Sequence, residues 1–310
     1  MKTAFVFPGQ GAQYVGMAND FVQKYPALEE ALDNFDDKHN TTLKDVMFSG
    51  PEEILKLTSY TQPAILFHSI AALKAFREAS NLKPDFTAGH SLGEFSALVA
   101  CGMITLSEAL HLVHKRGEFM IKANADVPFG MSAVIGLDPE QVIQICNQAS
   151  VVGLVQAVNF NTPSQTVISG TEEGVARAGE LAKMNGAKRV IPLVVGGPFH
   201  TPLIAKASDW LKEEMQQFDF LDISIPVISN VTAIPVTKGE EERELLARQI
   251  VSPVLWVQSV QYMISQGVQR FIEFGPQRVL SGMIRNINKE VEVFSIDKYE
   301  DIDAVVSVTG

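Results

Sequence analysis

Gly89-His90-Ser91-Leu92-Gly93 sets a serine between glycines two positions away on either side. This is the G-x-S-x-G pattern of a nucleophile elbow, a sharp strand-to-helix turn that lifts a serine hydroxyl clear of the backbone for attack on an acyl carbon. Small residues are needed there because a side chain would collide with the neighbouring strand or helix. The same turn aims the Leu92 N–H, at a helix N-terminus, toward the oxyanion that such an attack creates. A plain helix cap would use the same five residues; strand-like Asp85-Phe86-Thr87-Ala88 before them and helix-like Glu94–Ala100 after them favour the elbow.

A serine nucleophile needs a base, and the chain holds six histidines. His68, His111 and His114 lie in helical patterns, His39 in a polar loop, and His90 adjoins the serine, so its side chain is expected to point away. His200 follows Gly196-Gly197-Pro198-Phe199 on a loop that leaves a strand and opens a helix, where functional residues tend to be carried. It reads either as the base or as a loop histidine bonded to a neighbour. Phe7-Pro8-Gly9-Gln10-Gly11 is a strand entering a glycine turn; its glycines miss the G-x-G-x-x-G spacing of a dinucleotide site. The turn either offers the Gln10 N–H as a second oxyanion donor or is a turn only. Arg116, on a helix with several charges, is on spacing alone a solvated arginine; a carboxylated substrate would give its planar fork a use.

The elements that must position these residues alternate. Strand-like runs at Thr3–Phe7, Asp85–Gly89, Pro226–Val231 and Arg270–Phe274 open onto Gly- or Pro-rich turns, with helical patterns such as Pro63–Glu78 and Leu106–Ala123 between them. This is the signature of a parallel α/β sheet covered on both faces. From about 128 to 196 the rhythm changes to strand Met131–Leu137, helix Pro139–Ala149, strands Val152–Asn159 and Gln165–Ser169, helix Glu172–Asn185 and strand Lys188–Val194. That βαββαβ order is ferredoxin-like. The expected fold is a large parallel-sheet, α/β-hydrolase-like catalytic domain over residues 1–127 and 197–310, with residues 128–196 inserted as a ferredoxin-like subdomain and a cleft between the two. Glu240–Glu244 reads as a solvated helix start.

Composition bounds the function. With 310 residues, 46% hydrophobic and 20% charged, the chain is a globular one with a sizeable core. A net charge of −11 argues against a nucleic-acid partner. The opening apolar run is too short for a signal peptide, and stretches such as Pro63–Leu73 fall short of the roughly 20 residues of a membrane helix, so no membrane association is expected. Cys101 and Cys146 sit in apolar helical patterns as small hydrophobes, consistent with a reducing, cytoplasmic setting.

Taken together these segments resemble the malonyl-CoA:acyl-carrier-protein transacylases of fatty-acid synthesis, a family that includes polyketide acyltransferase domains. The resemblance spans nearly the whole chain. It rests on Phe7–Gly11, Tyr60-Thr61-Gln62-Pro63-Ala64, Gly89–Glu94, Arg116-Gly117-Glu118-Phe119-Met120, Gly197–Leu203, and Arg248-Gln249 with Pro253-Val254-Leu255-Trp256. It implies Ser91 as acylated nucleophile, His200 as general base and acid, Gln10 and Leu92 N–H groups as oxyanion hole, and Arg116 as partner of the malonyl carboxylate. It also implies that the Gln249 main-chain carbonyl, rather than an acidic residue, orients His200, so that replacing the Gln249 side chain should cost much less than replacing His200. The implied partners are malonyl-CoA and acyl carrier protein; neither metal nor other cofactor is called for. Phe199 matches a bulky residue associated with malonyl over methylmalonyl. Lys183, Lys188 and Arg189 are candidates for a carrier-docking patch. A polyketide transacylase, a serine esterase and a non-catalytic carrier-binding module are the rival readings.

Overall fold

The computed structural model describes residues 1–124 and 127–309; the junction next to the expected boundary at 127/128 and the last residue of the range 197–310 lie outside the described residues. Among the described residues ten strands form two sheets: β1 (Lys2–Phe7), β2 (Phe86–Gly89), β3 (Phe129–Ile135), β4 (Val155–Thr162), β5 (Gln165–Thr171), β6 (Arg189–Pro192), β7 (Val227–Ile228), β8 (Pro235–Val236), β9 (Val268–Phe274) and β10 (Glu292–Ile296). The larger sheet runs β10-β9-β1-β2-β7-β8, parallel except for β8. Side-chain alternation along β1 divides its core: Phe5 and Phe7 face one hydrophobic cluster, Ala4 and Val6 the other, as a strand covered by helices on both faces requires.

All four strands of the second sheet fall, in chain order, between β2 and β7. They are antiparallel in the order β4-β5-β3-β6, the ferredoxin-like arrangement, with helices Pro139–Ala149 and Glu172–Met184 packed on one face. Met131, Ala133, Val158 and Val167 belong instead to the core shared with the larger sheet. The backbone also crosses over: Val254 N–H donates to Val158 O at 2.8 Å and Phe160 N–H to Val254 O at 3.0 Å.

Several expected elements differ in extent. The strand expected over Pro226–Val231 is two residues long, because Ser229 turns to donate its N–H to Ile234 and Asn230 is drawn into the site. The helix expected from Pro63 begins at Thr58 and carries Pro63 inside it. Proline lacks the N–H that would reach the carbonyl four residues back. That carbonyl, Ser59 O, is taken up by His114 Nδ1 at 3.0 Å. β4 starts three residues later than expected, after a turn at 151–153. His39 ends the helix Pro26–His39 and packs its ring against His111 and His114 rather than lying in a loop. Within the acidic stretch Glu240–Glu244, Glu242 is fully buried, contrary to a solvated helix start. Among the described residues no helix is long and apolar enough to cross a membrane.

Candidate active site

The carboxyl ends of β1, β2 and β7, adjacent in the sheet, deliver Gln10, Ser91 and Asn230 to one place, as expected for a parallel sheet. Ser91 sits on the turn between β2 and the helix Gly93–Cys101, in the left-handed region at φ 51°. A non-glycine residue held there costs about 1–3 kcal/mol and persists only where its surroundings over-determine it. They do so here. Ser91 N–H donates to Asn230 Oδ1 at 2.7 Å, Asn230 Nδ2 to Gly89 O at 2.6 Å, and Gln249 Nε2 to Ser91 O at 3.0 Å. The flanking glycines are needed because a Cβ at Gly89 would overlap the Gly93 carbonyl and one at Gly93 the Phe7 carbonyl.

His200, also in the left-handed region at φ 63°, lies with Nε2 3.0 Å from Ser91 Oγ and Nδ1 2.8 Å from Gln249 O. A carbonyl only accepts, so Nδ1 carries the proton and Nε2 presents its lone pair to the serine hydroxyl. Burial, reinforced by the Arg116 charge, pushes the His200 pKa down to about 3, so the imidazole is neutral at pH 7. His90 turns away to bond Asn161 Oδ1 at 2.8 Å. Among the described residues, neither the Gln10 nor the Leu92 N–H donates to another main-chain carbonyl, and both residues line the cavity at Ser91.

Arg116 is not solvated. It is 1% exposed, with Nη2 donating to Ser91 Oγ at 2.9 Å and Gln249 Oε1 at 2.8 Å, and Nη1 to Gln62 Oε1 at 2.7 Å. Among the described residues its Nε has no partner. Burial lowers its pKa to about 10, with Glu94 opposing the shift, so it stays charged near neutrality. The cavity it enters holds about 110 Å³ and is walled by Met120, Met131, Val195 and Phe199. An outer cleft of about 1350 Å³ shares Gln10, Leu193 and Val195 with it, and Lys56, Lys115 and Lys122 lie along that cleft. Lys183, Lys188 and Arg189 do not line either space.

The structure thus brings together Ser91, His200, Arg116, Gln10, Leu92 and Gln249. Sequence reasoning missed Asn230, Gln62 and Glu94 as their supports; of these only Gln62 and Glu94 lay inside motif segments, and Asn230 had no signal beyond its place in the strand-like run Pro226–Val231. It assigned no role to the Gln249 side chain, whose amide joins Arg116, Ser91 O and Glu94 Oε2. Gln249→Ala leaves a buried guanidinium N–H and a buried carboxylate oxygen each short of a partner, so acylation by malonyl-CoA should fall by about 10- to 100-fold. Stopped acylation rates on a protein of unchanged melting behaviour check this; wild-type rates would return the orienting role to the carbonyl alone.

A strained serine backed by a neutral histidine, free main-chain donors and a guanidinium at the acyl end defines a serine acyl-transfer enzyme whose acyl group is anionic. The acyl transferase domain model matches residues 4–301, and the chain belongs to that family. It is 45% identical over 309 residues to the malonyl CoA-acyl carrier protein transacylase of Bacillus subtilis, covering 98% of this chain and 96% of that one. The malonyl CoA-acyl carrier protein transacylase of Coxiella burnetii superposes with a TM-score of 0.95 at 36% identity, covering 99% and 97%. A malonyl-transacylase in complex with a type II PKS acyl-carrier protein does so with a TM-score of 0.95 at 36% identity, covering both chains completely.

Proposed function

We propose that this chain is a cytoplasmic enzyme that moves malonyl from malonyl-CoA to the phosphopantetheine thiol of acyl carrier protein for fatty-acid synthesis. The observation that carries this reading is the buried Arg116 guanidinium 2.9 Å from Ser91 Oγ. A serine esterase could use the elbow and histidine equally, but a charge buried at the acyl end gives it nothing and costs desolvation.

In this mechanism His200 Nε2 takes the Ser91 proton as Oγ attacks the thioester carbonyl. The Gln10 and Leu92 N–H groups hold the tetrahedral oxyanion, and as the C–S bond breaks His200 Nε2 gives that proton to the sulfur of the departing coenzyme A. Oγ is now an ester oxygen, so Arg116 Nη2 is released toward the malonyl carboxylate. The carrier thiol then enters through the outer cleft and attacks the malonyl-serine carbonyl while giving its proton to His200, and Ser91 Oγ recovers that proton as the ester C–O bond breaks. Residues 128–196 act as an inserted subdomain, with residues 1–127 and 197–310 as the catalytic domain. Met131, Asn159, Leu193 and Val195 supply the insert's wall of the acyl cavity. Lys56, Lys115 and Lys122, which line the outer cleft, suit the phosphates of coenzyme A and of the carrier's phosphopantetheine better than Lys183, Lys188 or Arg189.

Incubation with malonyl-CoA should add one malonyl group to Ser91, read by peptide mass spectrometry, and holo-carrier protein should remove it with little free malonate. Ser91→Ala should take up none. Hydrolysis to malonate without carrier acylation would make the chain an esterase instead.

A further inference from the structure

Two buried carboxyl groups beneath the site are unused by the mechanism. Glu94, in the first turn of the helix Gly93–Cys101, and Glu242, on the helix Gly239–Gln249, are both 0% exposed, and their side chains are in hydrogen-bond contact. Their surroundings differ. Glu94 accepts Gln249 Nε2 at 2.6 Å and Asn230 N–H at 3.2 Å on both oxygens, and it sits at a helix N-terminus, which favours negative charge. Among the described residues, neither oxygen of Glu242 meets a donor. Two carboxylates in contact away from water cannot both be ionised, and a carboxyl with no donor can satisfy itself only by donating. Arg116 poses the complementary problem, since its guanidinium is buried among neutral acceptors: Gln62, Ser91 and Gln249. The Gln249 amide connects the two, accepting from Arg116 through Oε1 and donating to Glu94 through Nε2.

We propose that Glu94 and Glu242 hold one proton between them, resting on Glu242, and that the single carboxylate charge left on Glu94 is the counter-charge of Arg116, passed through the Gln249 amide. Glu94 is thereby a positioning residue of the transfer reaction. It fixes the one residue whose side chain holds Arg116 and the Ser91 carbonyl and whose main chain holds His200. Glu242 keeps the pair at one charge: with none, Arg116 would be uncompensated, and with two, the pair would repel across a dry interface. The groups that face the pair agree with this. Arg116 lies on the Glu94 side, while Cys101 and Glu241 lie near Glu242. Burial raises both carboxyls, Glu242 the further because the Glu94 charge adds to it, whereas the amide and main-chain donors restrain Glu94.

This role rests on the functional reading above, but the shared proton does not, so the two fail separately. The test is carbon-13 NMR at pH 8 of the wild-type protein labelled at the glutamate carboxyl carbon, with Glu242→Gln and Glu94→Gln assigning the two signals. One protonated and one ionised signal, or two averaged signals that together account for one proton, is the expected result; two ionised or two protonated signals overturn the proposal. Should Glu94→Gln not fold, Glu242→Gln alone assigns the protonated signal, and the second buried signal must then be ionised. The positioning role is read separately: Glu94→Gln, which keeps shape and loses charge, should slow malonylation of Ser91 by about 10-fold or more. Unchanged malonylation in a folded Glu94→Gln protein would sever the pair from the site.

Discussion

His200→Ala should slow malonylation of Ser91 and transfer to the carrier thiol by the same factor, about a thousandfold or more. The equality is the discriminating part. Both half-reactions exchange one acyl group between the Ser91 oxygen and a thiol, and they run in opposite directions. A group that only shuttles the proton of that oxygen lowers the barrier between the same two states, so its removal cannot favour one direction. Raising the pH to ionise the carrier thiol should not rescue transfer, because the leaving serine still lacks a proton donor. In the wild type, burial and the Arg116 charge hold the His200 pKa far below the ordinary 6.5. The base form therefore persists as pH falls, and malonylation should stay level through pH 6.5 down toward pH 5 where an ordinary histidine would lose its lone pair. Quench-flow measurement of both half-reactions across pH is the check. A loss confined to one half-reaction would give His200 a role other than proton shuttle.

The parts of this site that were legible in sequence are those whose chemistry is local. Gly89 is readable because the collision it avoids, with Gly93, lies within the same turn, and Ser91 is readable because the strand and helix around it are contiguous with it; the need for Gly93 comes from the Phe7 carbonyl on β1, remote in sequence. His200 was reachable by eliminating the other histidines. The burial of Arg116 was not legible, since its acceptors come from 54 and 133 residues away, on Gln62 and Gln249. Glu242 shows the same limit more sharply. In a run of four acidic residues out of five, nothing local marks the one that turns inward against Glu94, and only the packing of its helix decides it. The alternation of strands and helices gave the two-sheet fold because burial on both faces of β1 leaves a pattern. It failed at the length of β7, where the chain leaves the sheet to bring Asn230 to Ser91.

Arg116→Ala should divide the specificity constant for malonyl-CoA by about 30 to 5,000, since removing one member of a buried charge pair costs roughly 2–5 kcal/mol. The guanidinium has an uncommitted Nε–H and an Nη2 that Ser91 acylation frees, so it can meet a carboxylate with more than one donor. Arg116→Lys should recover only part of the loss, because an ammonium is a point donor without the planar fork that spans Gln62, Gln249 and a carboxylate. Acetyl-CoA behaves oppositely. Its methyl group offers that buried charge no carboxylate to pair with, so apart from the serine contact discussed next Arg116→Ala should leave its reaction unchanged or faster. One counter-effect is visible in the structure: Nη2 also donates to Ser91 Oγ, and losing that contact frees the hydroxyl to rotate away from His200. This acts on both substrates equally and cancels in their ratio. The ratio of malonyl to acetyl specificity constants in wild type, Arg116→Lys and Arg116→Ala therefore isolates carboxylate recognition. Equal losses for the two substrates would make Arg116 a support of the serine alone and would remove the basis for malonyl selection.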